Sequence, residues 1–141
     1  MIDKIKRAIQ EAGDVLKEQA SQFGEGAKEK SYQLIEEWLA VFPQLEVYGL
    51  EITSFALGVG LNPSVEVEFK GTHENFSRER LREILAENKG KAAVTSVFTT
   101  IRTAYNMHRK IYASLNDPLI VKIKVRLSPE IKVFIGEPII M

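Results

Sequence analysis

Two stretches of the chain alternate so strictly between apolar and charged residues that they fix the core of the fold. In Ser64 to Lys70, Val65, Val67 and Phe69 alternate with Glu66 and Glu68. In Leu119 to Leu127, Leu119, Val121, Ile123, Val125 and Leu127 alternate with Lys122, Lys124 and Arg126. A period of two places successive side chains on opposite faces of a β-strand, so each stretch reads as a strand with one face on a core and the other in water. The wet face is acidic in the first strand and basic in the second. Opposite charges across a strand pair favour it by about 0.2–1 kcal/mol. The two strands are therefore predicted to be neighbours, although helical segments separate them in the chain.

A third strand is predicted from Leu45 to Leu61, long enough that Gly49 marks a bulge or bend, with Asn62-Pro63 turning the chain into Ser64. Its second half, Ile52 to Leu61, carries no charge. One face holds Phe55, Leu57, Val59 and Leu61, and the other Ser54, Ala56, Gly58 and Gly60. A face of such small side chains implies a bulky body against it: a helix of the same chain, a second subunit or a ligand. Residues 2–22 supply a candidate, an amphipathic helix with Ile2, Ile5, Ile9, Ala12 and Leu16 on one side. Ser54, Ala56, Gly58 and Gly60, with Ile5, Ile9 and Leu16, are the candidate partner-binding residues. Segment 1–26 is the candidate docking or oligomerisation element, packed in cis or exchanged with a second subunit.

The remaining elements follow from their punctuation. A helix is predicted from Ala27 to Phe42, stopped by Pro43. Ser77 is an N-cap with Phe76 and Leu81 placed as a hydrophobic staple, and Gly90 closes that helix. A further helix covers 91–115 and ends at Asn116-Asp117-Pro118. Ser128-Pro129 then turns into a last strand, Glu130 to Ile135. The order is ααββααββ: a single α+β domain over 1–141, with a four-stranded, mostly antiparallel sheet and its helices mainly on one face.

Composition excludes several functions. With 19 basic and 19 acidic side chains the net charge is zero, so no global field draws in nucleic acid or an anionic membrane. The absence of cysteine removes disulfides, thiol nucleophiles and thiolate metal sites. The charged start (Asp3, Lys4, Lys6, Arg7) is no secretory signal, and no apolar run reaches the roughly 20 residues of a membrane span. A cytoplasmic protein without an integral membrane segment is expected.

Chemistry-bearing residues are few. His73-Glu74 reads as a solvated turn. His108 falls between Tyr105 and Tyr112 on the apolar side of the 91–115 helix. Its plain reading is a hydrogen-bonded core histidine. The alternative is a pocket in which Tyr105, His108 and Tyr112 anchor an apolar ligand. Neither histidine has metal-ligand spacing, and the glycine pair Gly58/Gly60 leads into a turn rather than a phosphate-binding helix, so no metal or cofactor is expected. The carboxylate pairs Glu36-Glu37, Glu66/Glu68 and Glu79/Glu83 sit on polar faces, and no catalytic residue is nominated. Arg78, Arg80 and Arg82 crowd a helix N-terminus, where the dipole disfavours cations; they are expected to reach the acidic hairpin or solvent. These features together point to a non-enzymatic interaction or ligand-binding domain that self-associates, as a homodimer. The alternatives are a carrier of an apolar small molecule or lipid, and an enzyme centred on His108.

Overall fold

The computed structural model describes residues 27–140. Its elements are α1 (Ala27–Glu46), β1 (Glu51–Gly58), β2 (Ser64–Gly71), a 3-10 turn (His73–Phe76), α2 (Arg78–Glu87), α3 (Ala92–Lys110), β3 (Leu119–Val125) and β4 (Pro129–Ile135). The class is α+β, with the order αββααββ. The helix expected over residues 2–22, and with it Ile5, Ile9 and Leu16, lies outside the described residues. The four strands make one antiparallel sheet in the order β1-β2-β3-β4.

The charge ladder sets β2 beside β3 as predicted. Glu66 stands opposite Lys124 and Glu68 opposite Lys122, with carboxylate–ammonium distances of 3.5 and 3.8 Å. Partly exposed pairs of this kind contribute at most about 1 kcal/mol each, so they select the neighbour more than they hold it. The holding is done on the other face. Val65, Val67, Phe69, Leu119, Val121, Ile123 and Val125 are buried there. They join Ile35, Trp38 and Phe42 of α1, Leu81 and Ile84 of α2, and Val97, Phe98 and Ile101 of α3 in one apolar cluster. Burying each large side chain is worth about 1.5–3 kcal/mol, several times an ion pair.

Several boundaries differ from those expected, each for a local reason. Pro43 lies inside α1 and does not stop it. Proline removes a helical hydrogen bond, but the turn beyond it seats Leu45, which is fully buried. The helix instead gives way at Gly49, whose φ of 106° suits glycine, with the Tyr48 and Gly49 N–H groups donating to the Leu45 and Glu46 carbonyls. Gly49 is therefore the exit from a helix, and β1 starts only at Glu51.

The bulge in β1 falls between Ile52 and Ser54. It sets the phase: Ile52, Phe55 and Leu57 face the helices, while Ser54, Ala56 and Gly58 stand on the outer face opposite Glu68, Glu66 and Ser64. Val59 and Leu61 belong to the turn and are exposed rather than core residues, and Gly60 has left the strand. Leu127 is likewise exposed, because β3 ends at Val125.

The termini of α2 and α3 build the next level. Ser77 caps α2 by accepting from the Arg80 N–H at 3.2 Å. Asn88 closes it: buried, it donates from Nδ2 to the Ile84 carbonyl at 2.7 Å and to the Tyr48 hydroxyl at 2.9 Å. The threonine-rich side of α3 satisfies itself, with Thr95 and Thr100 hydroxyls donating to the Lys91 and Ser96 carbonyls. α3 ends at Lys110, not Leu115. Tyr112 takes a left-handed φ of 54°, and Ile111, Tyr112 and Leu115 are exposed. Finally, a Cβ on Gly71 would stand 3.0 Å from Phe76 Cε2 and 3.2 Å from Leu50 Cδ2. The bare backbone there lets the 3-10 turn fold back against the core and carries His73 in with it.

Candidate functional site

A cavity of about 400 Å³ opens between the start of α2, the C-terminal half of α3 and the irregular segment after it. Its position follows from the elements around it. The staple residues Phe76 and Leu81 are both buried in the core cluster, which holds the first turn of α2 down. α3 then continues past the core as a half-covered rod, and the reversal at Tyr112 brings Ala113 and Leu115 round as a third wall.

Tyr105, His108 and Tyr112 all line this cavity, but they are not the stacked row that helical periodicity suggested. Tyr105 is buried, His108 is half-covered, and Tyr112, off the helix, is 94% exposed. His108 makes no side-chain hydrogen bond among the described residues. It also borders a second cavity, of about 350 Å³, formed with Val133 to Ile135 and residues 136–140.

The buried histidine is His73, contrary to its reading as a solvated turn. The residue as a whole is 8% exposed. Nδ1 lies 2.8 Å from the Tyr105 hydroxyl, and Nε2 lies 2.6 Å from the Asn116 carbonyl oxygen. A carbonyl only accepts, so Nε2 carries a proton; in the neutral ring Nδ1 then accepts from Tyr105. The His73 N–H donates to Asp117 Oδ1 at 3.1 Å, and that same oxygen is 3.7 Å from Nε2. The His73 and Tyr105 rings meet edge to face with centroids 5.5 Å apart. Burial pushes the Tyr105 phenol above its ordinary pKa of 10.0, and the negative charge of Asp117 acts in the same direction. At neutral pH Tyr105 is thus a hydrogen-bond donor held in place, not a phenolate nucleophile.

One signal for His73 was present in the sequence. Phe76 as a staple has to bury, and a residue three positions earlier in the same short turn is drawn in with it.

The cavity wall is also charged. Arg78, Arg102 and Arg109 line it, and no carboxylate does. None of the ion pairs among the described residues involves an arginine; of the two courses expected for Arg78, Arg80 and Arg82, all three take the one into solvent and are exposed. Arg80 lies 6.0 Å from the Tyr48 ring centroid, and Arg109 donates to Asn106 Oδ1. Among the described residues the Arg78 and Arg102 side chains meet no hydrogen-bond or ion-pair partner.

Of the candidate partner-binding residues, Ser54, Ala56 and Gly58 lie elsewhere, on the outer sheet face. Ser54 and Ala56 are exposed and Gly58 is half-buried. Among the described residues no group of three His, Asp or Glu side chains is disposed to hold a metal ion, and no helix is long and apolar enough to cross a membrane. Compared with protein-family models, with curated proteins and with solved structures, the chain gives no match.

Proposed function

We propose that the chain is a ligand-binding domain holding a small molecule with an apolar or aromatic body in the cavity between α2, α3 and residues 112–115. One observation carries this reading. A cavity of about 400 Å³ has apolar walls (Phe76, Leu81, Leu115) and a few polar-tipped aromatic groups converging on it, the usual make-up of a small-molecule site. Tyr105 is fixed by His73 and His108 is unengaged, so one polar group is preorganised and the other is available. Native mass spectrometry and solvent extraction of the purified protein test it, beside an Ala113→Trp variant that fills the exposed wall. A co-purified hydrophobe present in the parent and lost in the variant supports the reading. A parent that carries no small molecule, and whose melting temperature no apolar compound raises, ends it.

A second reading, self-association, is favoured by the contrast between the two sheet edges. β4 begins at Pro129 and carries Glu130 and Lys132, the devices that protect an edge. β1 from Ile52 to Gly58 carries no charge, and the turn after it exposes Val59 and Leu61. A second copy pairing along β1 meets no like charge in that stretch. Sedimentation equilibrium of the parent and of Ala56→Lys tests this: a dimer weakened by the substitution supports it, and a monomer at all concentrations removes it.

A further inference from the structure

We infer that the ligand of this cavity is an amphipathic anion, an apolar or aromatic body ending in a carboxylate or a phosphate ester. The inference rests on the ligand-binding reading above and specifies its chemistry. Three arginines on two different helices, Arg78 on α2 and Arg102 and Arg109 on α3, converge on one cavity whose lining contains no acid. Nearby carboxylates are otherwise engaged or turned to water. Asp117 accepts from the His73 backbone, and Glu74 and Glu79 are exposed and pair with none of the three.

Like charges collected without counter-charges repel, and a folded chain ordinarily spreads or pairs them. A guanidinium offers planar, paired donors that match a carboxylate or phosphate edge. Arg78 moreover occupies the first turn of α2, where the helix dipole disfavours a cation and favours an anion. A bound anion removes both penalties at once. Next to this rim the wall turns apolar at Phe76, Leu81 and Leu115. Head and body of the ligand thus have separate seats.

Matched probes read this directly. Decanoate is compared with decanol, and 1-naphthyl phosphate with 1-naphthol, by isothermal titration calorimetry on the full chain. Hydrogen bonds to charged groups are worth about 1.5–3 kcal/mol, so at least one anion should bind roughly tenfold to a hundredfold tighter than its neutral twin. Which pair shows the larger ratio identifies the head group, acyl carboxylate or aryl phosphate. In Arg102→Gln and Arg78→Gln, both at exposed positions, the ratio should fall severalfold while the neutral twin's affinity holds. Arg126→Gln, at the distant β3–β4 turn, should change neither. Twins that bind equally overturn the inference while leaving the ligand-binding reading intact. A ratio that survives the Arg78→Gln/Arg102→Gln double variant overturns it as well, because the anion then sits elsewhere. If neither member of either pair binds, both readings fall.

Discussion

The two histidines border the same cavity and could hardly be held more differently. His73 sits in a four-residue turn, yet both ring nitrogens are engaged and the ring is buried. His108 sits on the apolar side of a regular helix, yet its side chain makes no hydrogen bond among the described residues and remains half-covered. Helical periodicity identifies the side of a rod that faces inward. It does not say where along the rod the covering ends. Tyr105 is the last buried residue of α3, so His108, one turn later, is at the margin. A turn residue, by contrast, is buried or not according to groups far along the chain. For His73 those are Tyr105 and Asn116, 32 and 43 residues away.

The largest effects should come from breaking the buried histidine. His73→Ala opens a small void and leaves the Tyr105 hydroxyl and the Asn116 carbonyl without their partner. The expected loss of unfolding free energy in urea is about 2–4 kcal/mol. His108→Gln, with no bond to lose, should stay within about 0.5 kcal/mol of the parent. Equal losses at the two positions would erase the distinction between them.

Tyr105→Phe is the intermediate case. It keeps the packing and leaves His73 Nδ1 unsatisfied, at an expected cost of about 1–2 kcal/mol near neutral pH. It also removes the hydroxyl's titration together with its hydrogen bond, which makes it the non-titrating reference. Because burial and Asp117 raise the Tyr105 pKa, the folded chain keeps this proton at a pH where the unfolded chain releases it. The stability tied to that proton is complete below the ordinary tyrosine value of 10.0 and is lost as pH climbs above it. Urea unfolding between about pH 8 and 11 should show the parent losing stability more steeply than Tyr105→Phe above pH 10. Parallel pH profiles would place the hydroxyl in water.

What could be read beforehand tracks how locally each feature is determined. The neighbouring of β2 and β3 was legible because Glu66 and Glu68 face Lys124 and Lys122 directly, so the sequence of each strand carries its half of the pairing. The N-cap at Ser77 was legible for the same reason: its hydrogen-bond partner is three residues away. The end of α3 was not. Ile111, Tyr112 and Leu115 prolong the apolar spacing, and no glycine or proline announces the reversal at Tyr112. Nor was the extent of α1, where the proline rule concerns backbone and the deciding quantity was the burial of Leu45. For the cavity, the three aromatic positions could be nominated but not their roles. Of the three arginines only Arg78 stood out, as a charge on a helix start, because nothing in a sequence shows that residues 78, 102 and 109 share a wall.

That reversal offers the smallest and most specific test. A left-handed backbone costs most residues about 1 kcal/mol, and glycine is exempt. Tyr112 adopts it at φ 54° with its side chain almost wholly in water, so the ring returns little packing energy for the strain. Tyr112→Gly should therefore leave stability unchanged, or raise it by up to about 1 kcal/mol, although glycine's freedom in the unfolded chain takes back part of the gain. In the ligand assay the same substitution should act in the other direction, weakening the aromatic probe by severalfold because the exposed ring is a wall of the cavity. Stability gained with binding lost would mean that the strained turn is kept for its place beside the ligand. A variant that is less stable, with binding unaltered, would make Tyr112 an ordinary structural residue and leave Tyr105 and the arginines to define the site.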